Sequence, residues 1–129
     1  MKTAVHTERA PPPAGAYSQA VRASGEFLFI SGQTPRLPDG TRLKNAPIAE
    51  QTRQAMANLA AIAEEAGYVF ARDAVQVTVW LRDLADKTGF DAAYAEFVGP
   101  TPPARAIVQS GFTDFDLEVA AVLVREAQG

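Results

Sequence analysis

The sequence predicts an α+β fold, a single mixed β-sheet with two helices packed on one face. Three observations predict it. Five short segments rich in β-branched and aromatic residues alternate apolar and polar positions or run apolar throughout. Two longer stretches repeat their apolar residues at helical spacing. Breaker residues separate these segments in the order β-β-α-β-α-β-β. Two helices cannot cover both faces of such a sheet, so they pack on one.

The elements follow in order. Arg9 to Gly15, with Pro11-Pro12-Pro13, reads as an extended, irregular arm. Residues 17–22 and 27–31 read as strands joined by a hairpin-like turn, Ser24-Gly25-Glu26. Phe27-Leu28-Phe29-Ile30 is apolar throughout, which predicts a strand buried on both faces. Residues 34–46 hold Pro35, Pro38, Asp39-Gly40 and Asn45 and form a loop. A helix starts near Pro47, with Asn45 or Ala46 at its cap. Its expected buried face is Ile48, Thr52, Ala55, Leu59, Ile62 and Ala66, and Gly67 stops it. Val75, Val77, Val79 and Leu81 alternate with Gln76, Thr78 and Trp80, giving a strand over 74–82. Asp86 caps a second helix with Phe90, Tyr94 and Phe97/Val98 on one face, ended by Gly99-Pro100. Strands over 104–110 and 117–124 close the domain around a short loop, residues 111–116.

Composition narrows the chemistry. At 129 residues the chain reads as one domain, 1–129. Its net charge of −3 and the lack of a Lys/Arg cluster argue against a nucleic-acid partner. No apolar run is long enough for a membrane span, and Met1 to His6 has no signal-peptide core. With no cysteine either, a cytoplasmic location is expected. Without cysteine, and with His6 as the only histidine, no Cys–His pair or thiolate metal site exists, and a Ser-His-Asp triad has little to build on. The lysines, Lys2, Lys44 and Lys87, stand in polar surroundings that do not suit a Schiff base. Arg, Glu, Asp, Tyr, hydroxyls and backbone groups remain.

Among these, Pro102-Pro103-Ala104-Arg105-Ala106-Ile107-Val108 stands out. Proline fixes φ and lacks an N–H, so the Pro-Pro step belongs at a strand entrance. It delivers one arginine among apolar neighbours, where its planar fork needs an anion. That anion is either a ligand carboxylate or an Asp/Glu partner inside the protein.

This segment resembles the signature of the RidA (YjgF/YER057c/UK114) family of enamine/imine deaminases. Gly15-Ala16-Tyr17-Ser18-Gln19-Ala20-Val21, Leu28-Phe29-Ile30-Ser31-Gly32-Gln33 and Leu117-Glu118-Val119-Ala120-Ala121-Val122 resemble the same family in the same order, as does the helix from Glu50 to Gly67. The resemblance implies a chorismate-mutase-like, RidA-type domain, assembled as a homotrimeric barrel with ligand clefts between subunits. Trp80, on one strand face with Gln76 and Thr78, fits a sheet face covered by a second surface. The resemblance further implies hydrolysis of 2-imino acids, such as those from 2-aminoacrylate, to 2-keto acids and ammonia without a metal or other cofactor. In it Arg105 binds the substrate carboxylate, Glu118 directs water, Tyr17 lines the cleft and Ser31-Gly32 contribute hydrogen bonds. Two positions depart from the family pattern. Ile107 replaces a residue that is often small or polar, and Asp91 replaces a common cleft-lining asparagine. A non-catalytic trimer that captures small carboxylates in the same clefts is the alternative. A nuclease is disfavoured by the acidic charge and the lack of a catalytic histidine.

Register decides whether Arg105 and Glu118 share a cleft. If the last two strands pair antiparallel, an odd sum of paired residue numbers puts both side chains on one face and an even sum separates them. The sequence leaves this open.

Overall fold

The structure is a computed structural model that describes residues 2–112 and 114–127. It is an α+β fold with β1 at Lys2–Val5, β2 at Ala20–Ala23, β3 at Glu26–Gln33, α1 at Ile48–Glu65 and α2 at Phe70–Asp73. β4 at Ala74–Leu81, α3 at Lys87–Tyr94, β5 at Ala104–Gln109 and β6 at Leu117–Arg125 complete it. The main sheet is mixed, in the order β3-β6-β4-β5, with β4 and β5 parallel and the other pairs antiparallel. β1 and β2 form a separate antiparallel pair.

Three expectations change here. Lys2–Val5 is a strand, although the stretch lacks an apolar alternation. β2 and β3 are not a hairpin, because β2 pairs back onto β1. At the junction Gly25 has φ 138°, and a Cβ there would lie 2.0 Å from the Arg125 carbonyl oxygen. Only glycine fits such a backbone. α2 is a single turn, too short to show a period. Thr113, in the expected closing loop, lies outside the described residues.

α1 begins one residue after Pro47, which is its N-cap, and ends at the expected place: Ala66 caps it and Gly67 follows at φ 86°. The cap has no side-chain hydrogen bond. Gln51, fully buried, ties the helix start to the turn before β6. Its Nε2 donates to the Ala46 carbonyl and to Asp116 Oδ2, each at 2.8 Å, and its Oε1 accepts from the Asp116 N–H at 3.0 Å. A buried amide with these partners satisfied fixes where β6 begins. The buried stripe of α1 is Thr52, Ala55, Met56, Leu59 and Ala63, while Ile62 and Ala66 face outward. The inner face is turned toward Met56 and Ala63 relative to the expected stripe, which leaves Ile62 at its edge, and Ala66 is the C-cap beyond the last turn.

α1 and α3 lie on one face of the sheet and share its core with Ile30, Val77, Val79, Leu81, Leu117, Val119, Ala121 and Leu123. Each buried Val, Leu or Ile among them contributes about 1.5–3 kcal/mol by burial. The other face carries Phe29, Thr78, Trp80 and Val108. Phe27 and Phe29 are 57% and 72% exposed, so in the single chain β3 alternates rather than burying both faces. Among the described residues no helix is long and apolar enough to cross a membrane.

Candidate functional site

Arg105 lies at the edge of the main sheet, on β5, and faces the helices. The Pro102-Pro103 step sits at the strand entrance, as its missing N–H groups require. The carbonyls there hold the 14–18 loop in place. Ser18 Oγ donates to Pro102 O at 2.5 Å, and the Ser18 N–H donates to Pro103 O at 3.2 Å. This seats the Tyr17 ring 5.1 Å from the Arg105 guanidinium. Phe90 and Tyr94, one turn apart on α3 and stacked on each other, close in at 5.6 and 4.9 Å. Three ring faces around one cation give attraction that grows as water is excluded. Burial raises the Tyr94 phenol well above the ordinary tyrosine range, with the neighbouring Arg105 charge opposing that shift and Asp91 adding to it.

Asp91 supplies the anion that Arg105 requires. Nη1 donates to its Oδ1 at 2.6 Å and makes a longer contact of 3.5 Å with Ala16 O. Both Asp91 oxygens also accept from the Ala16 N–H at 3.1 Å. Of the two readings the sequence left open, the internal partner is present. The Arg105 side chain is 5% exposed and that of Asp91 28%. Ile107 faces the same way as Arg105, opposite Val79, and packs against the core. Its methyl groups therefore support the sheet beneath the arginine.

Glu118 stands elsewhere. β6 does not pair with β5, because β4 lies between them. Arg105 is opposite Val77, and Glu118 is opposite Trp80. Val77 and Trp80 point to opposite faces, since side chains alternate along a strand. Arg105 therefore faces the helices and Glu118 faces outward. The question of register posed for two paired strands is replaced by one of strand order, and within a single chain the two residues do not meet.

What Glu118 does meet is the Ser31-Gly32 step. The β3–β6 register shifts between Ile30 and Gln33, a bulge that sets an extra residue against β6. Gly32 lies at that bulge beneath the Glu118 carboxylate. A Cβ on Gly32 would stand 1.9 Å from Glu118 Oε2, so the approach requires glycine. Among the described residues the Glu118 carboxylate has no hydrogen-bond or ion-pair partner. Ser31 is exposed beside it, and its carbonyl accepts from Gln33 Nε2 at 3.2 Å.

The predicted residues thus fall into two groups on opposite faces of the sheet. One gathers Arg105, Asp91 and Tyr17, and the other Glu118, Ser31 and Gly32. Phe90 and Tyr94 are members the sequence had assigned to the core alone. Their helical spacing signals burial equally well, and only the fold shows that they bury a charge. His6 lies outside both, 3.4 Å from Glu8. Among the described residues no group of three or more His, Asp or Glu converges to hold a metal.

The family described as endoribonuclease L-PSP matches residues 7–124 of the chain. A RutC family protein of Pyrococcus horikoshii is 41% identical over 128 residues, covering 98% of this chain and 100% of that protein. The crystal structure of RidA from an Antarctic Psychrobacter is 30% identical, with a TM-score of 0.71 over 95% of this chain and 99% of that one. The Rid family protein YyfB of Yersinia pestis, described as of unknown function, superposes with a TM-score of 0.85 over 96% of this chain and 98% of that one. At 24% identity it bears on the fold alone.

Proposed function

The chain belongs to the RidA (YjgF/YER057c/UK114) family, and on that premise we propose that it hydrolyses 2-imino acids to 2-keto acids and ammonia in clefts between the subunits of a homotrimer. One observation carries the reading. Glu118 is a carboxylate held over a glycine on the outward face of the sheet, without a partner among the described residues. A glutamate serving only the fold would be expected to find a hydrogen-bond donor or to extend into water.

The roles follow from reading the two groups as half-sites of one cleft. Arg105 anchors the substrate carboxylate and Tyr17 walls the anchor. Glu118 takes a proton from a water as its oxygen bonds to the imine carbon. That proton passes to the nitrogen of the adduct of the protonated imine, and as the carbon–nitrogen bond breaks the hydroxyl proton moves to Glu118, leaving a keto acid and ammonia. Backbone groups at Ser31-Gly32 orient the substrate. Imines already react with water, so positioning and one well-placed base suffice, and a base alone contributes roughly 10²–10⁴-fold. No cofactor takes part.

Because the half-sites lie on opposite faces of one sheet, the cleft needs Arg105 from one subunit and Glu118 from its neighbour. The exposed Phe27 and Phe29 and the half-buried Trp80 give the outward face reason to be covered. Capture of carboxylates without catalysis would leave Glu118 no task. The nuclease activity named in the family's description finds no support in a site that lacks histidine, in a chain of net charge −3.

Subunit complementation tests the proposal. Arg105→Ala and Glu118→Gln are each expected to be inactive toward imines generated in a coupled assay. When the two are unfolded together and reassembled in equal amounts, about one quarter of the clefts regain both residues if neighbours share a head-to-tail interface. Recovered hydrolysis near that level supports the shared cleft. No recovery from correctly assembled mixed trimers rejects it.

A further inference from the structure

Asp91 holds the place on Arg105 that a ligand carboxylate needs. Its Oδ1 takes Nη1 at 2.6 Å, and the Ala16 N–H holds both oxygens at 3.1 Å. The grip is close. A Cβ on Gly15 would stand 3.0 Å from each Asp91 oxygen, so the loop backbone lies directly against the carboxylate. Asp91 is the more accessible member of the pair and Arg105 the sequestered one. An approaching ligand therefore meets a charge-neutral pair.

A second carboxylate on a neutralised guanidinium is repelled by the first and must compete for Nη1. A ligand that carries a cationic nitrogen beside its carboxylate escapes this penalty, because the nitrogen faces Asp91 while the carboxylate faces Arg105. We infer that Asp91 is a specificity-determining residue that makes the site prefer zwitterionic 2-iminio and 2-amino carboxylates over plain 2-keto anions. Protonated imino acid, the more electrophilic form, is then the species bound, and the keto-acid product is released readily. The inference rests on Arg105 being the carboxylate anchor.

The test compares two ligands of one carbon skeleton, 2-ketobutyrate and 2-aminobutyrate, by calorimetric titration of the intact protein. In Asp91→Asn the affinity ratio should move toward the keto anion by about tenfold or more, the scale of a charge-assisted contact. Asp91→Ala should move it the same way. A ratio is insensitive to the fraction of protein folded, so partial unfolding does not mimic the result. If both variants keep the wild-type ratio while Arg105→Ala weakens both ligands, Asp91 is structural and the inference falls alone. If Arg105→Ala binds both ligands as the wild type does, the anchor itself is wrong and both readings fall.

Discussion

At the β5 edge, Arg105 is paired with Asp91, lies against three aromatic rings and is almost wholly buried. At the β3–β6 bulge, Glu118 lies over bare backbone with no partner for its charge among the described residues. Under the proposed function, the difference separates recognition from chemistry. A cation built into a cage gains rigidity and gives up reach. The Glu118 carboxylate, by contrast, is held in position by the shape of the glycine backbone beneath it. Substitutions in the first region should therefore be felt in binding and stability together, and those in the second in rate alone.

The largest expected effect sharpens that contrast. Glu118→Gln should lower turnover by roughly 10²–10⁴-fold while 2-keto acid affinity barely moves, because the base acts on water and not on the anchor. Steady-state rates and product titration on one preparation would separate the two, and an equal loss in both would remove Glu118 from the water-directing role. Gly32→Ala approaches the same carboxylate from below. The added methyl must push Glu118 aside, and a displacement near 1 Å costs on the order of 10²-fold in rate. Wild-type activity in a folded Gly32→Ala would mean that the Glu118 position is not critical.

Arg105→Ala should behave otherwise. Carboxylate affinity should drop about ten- to a hundredfold. Stability should drop as well, by about 1–3 kcal/mol. That is below the roughly 3–5 kcal/mol of a fully buried broken pair, because Asp91 is partly exposed. Thermal unfolding beside ligand titration reads both, and an unchanged Tm would show that the cage does not depend on its cation. The smallest signal is optical. Trp80, the only tryptophan, should shift its emission to the red on subunit dissociation as its sheet face meets water. Emission independent of protein concentration across a dissociation followed by light scattering would leave that face uncovered in the assembly.

Much of this was legible in the sequence, element by element. The alternation of Val75 to Leu81, the Gly67 stop and the Pro102-Pro103 entrance are local signals, and each is found where the pattern put it. Pairing was not legible. Lys2–Val5 has no strand signature of its own and is a strand because β2 receives it. The insertion of β6 between β3 and β4 depends on contacts remote in sequence, and that insertion decides which face Glu118 takes. Asp91 and Arg105 were each recognisable, but only α3 lying over β5 makes them a pair.

That insertion has a consequence for how the protein comes into being. β6 follows every other element in the sequence, yet it fills the centre of the main sheet. While the chain is being synthesised, β3 and β4 have no neighbour to receive their inner edges until β6 emerges. Unpaired edges of this kind recruit other chains. Closing them joins segments far apart in sequence, a slow class of folding event. A nascent or C-terminally shortened chain is thus open along the middle, with the facing edges of β3 and β4 left unpaired.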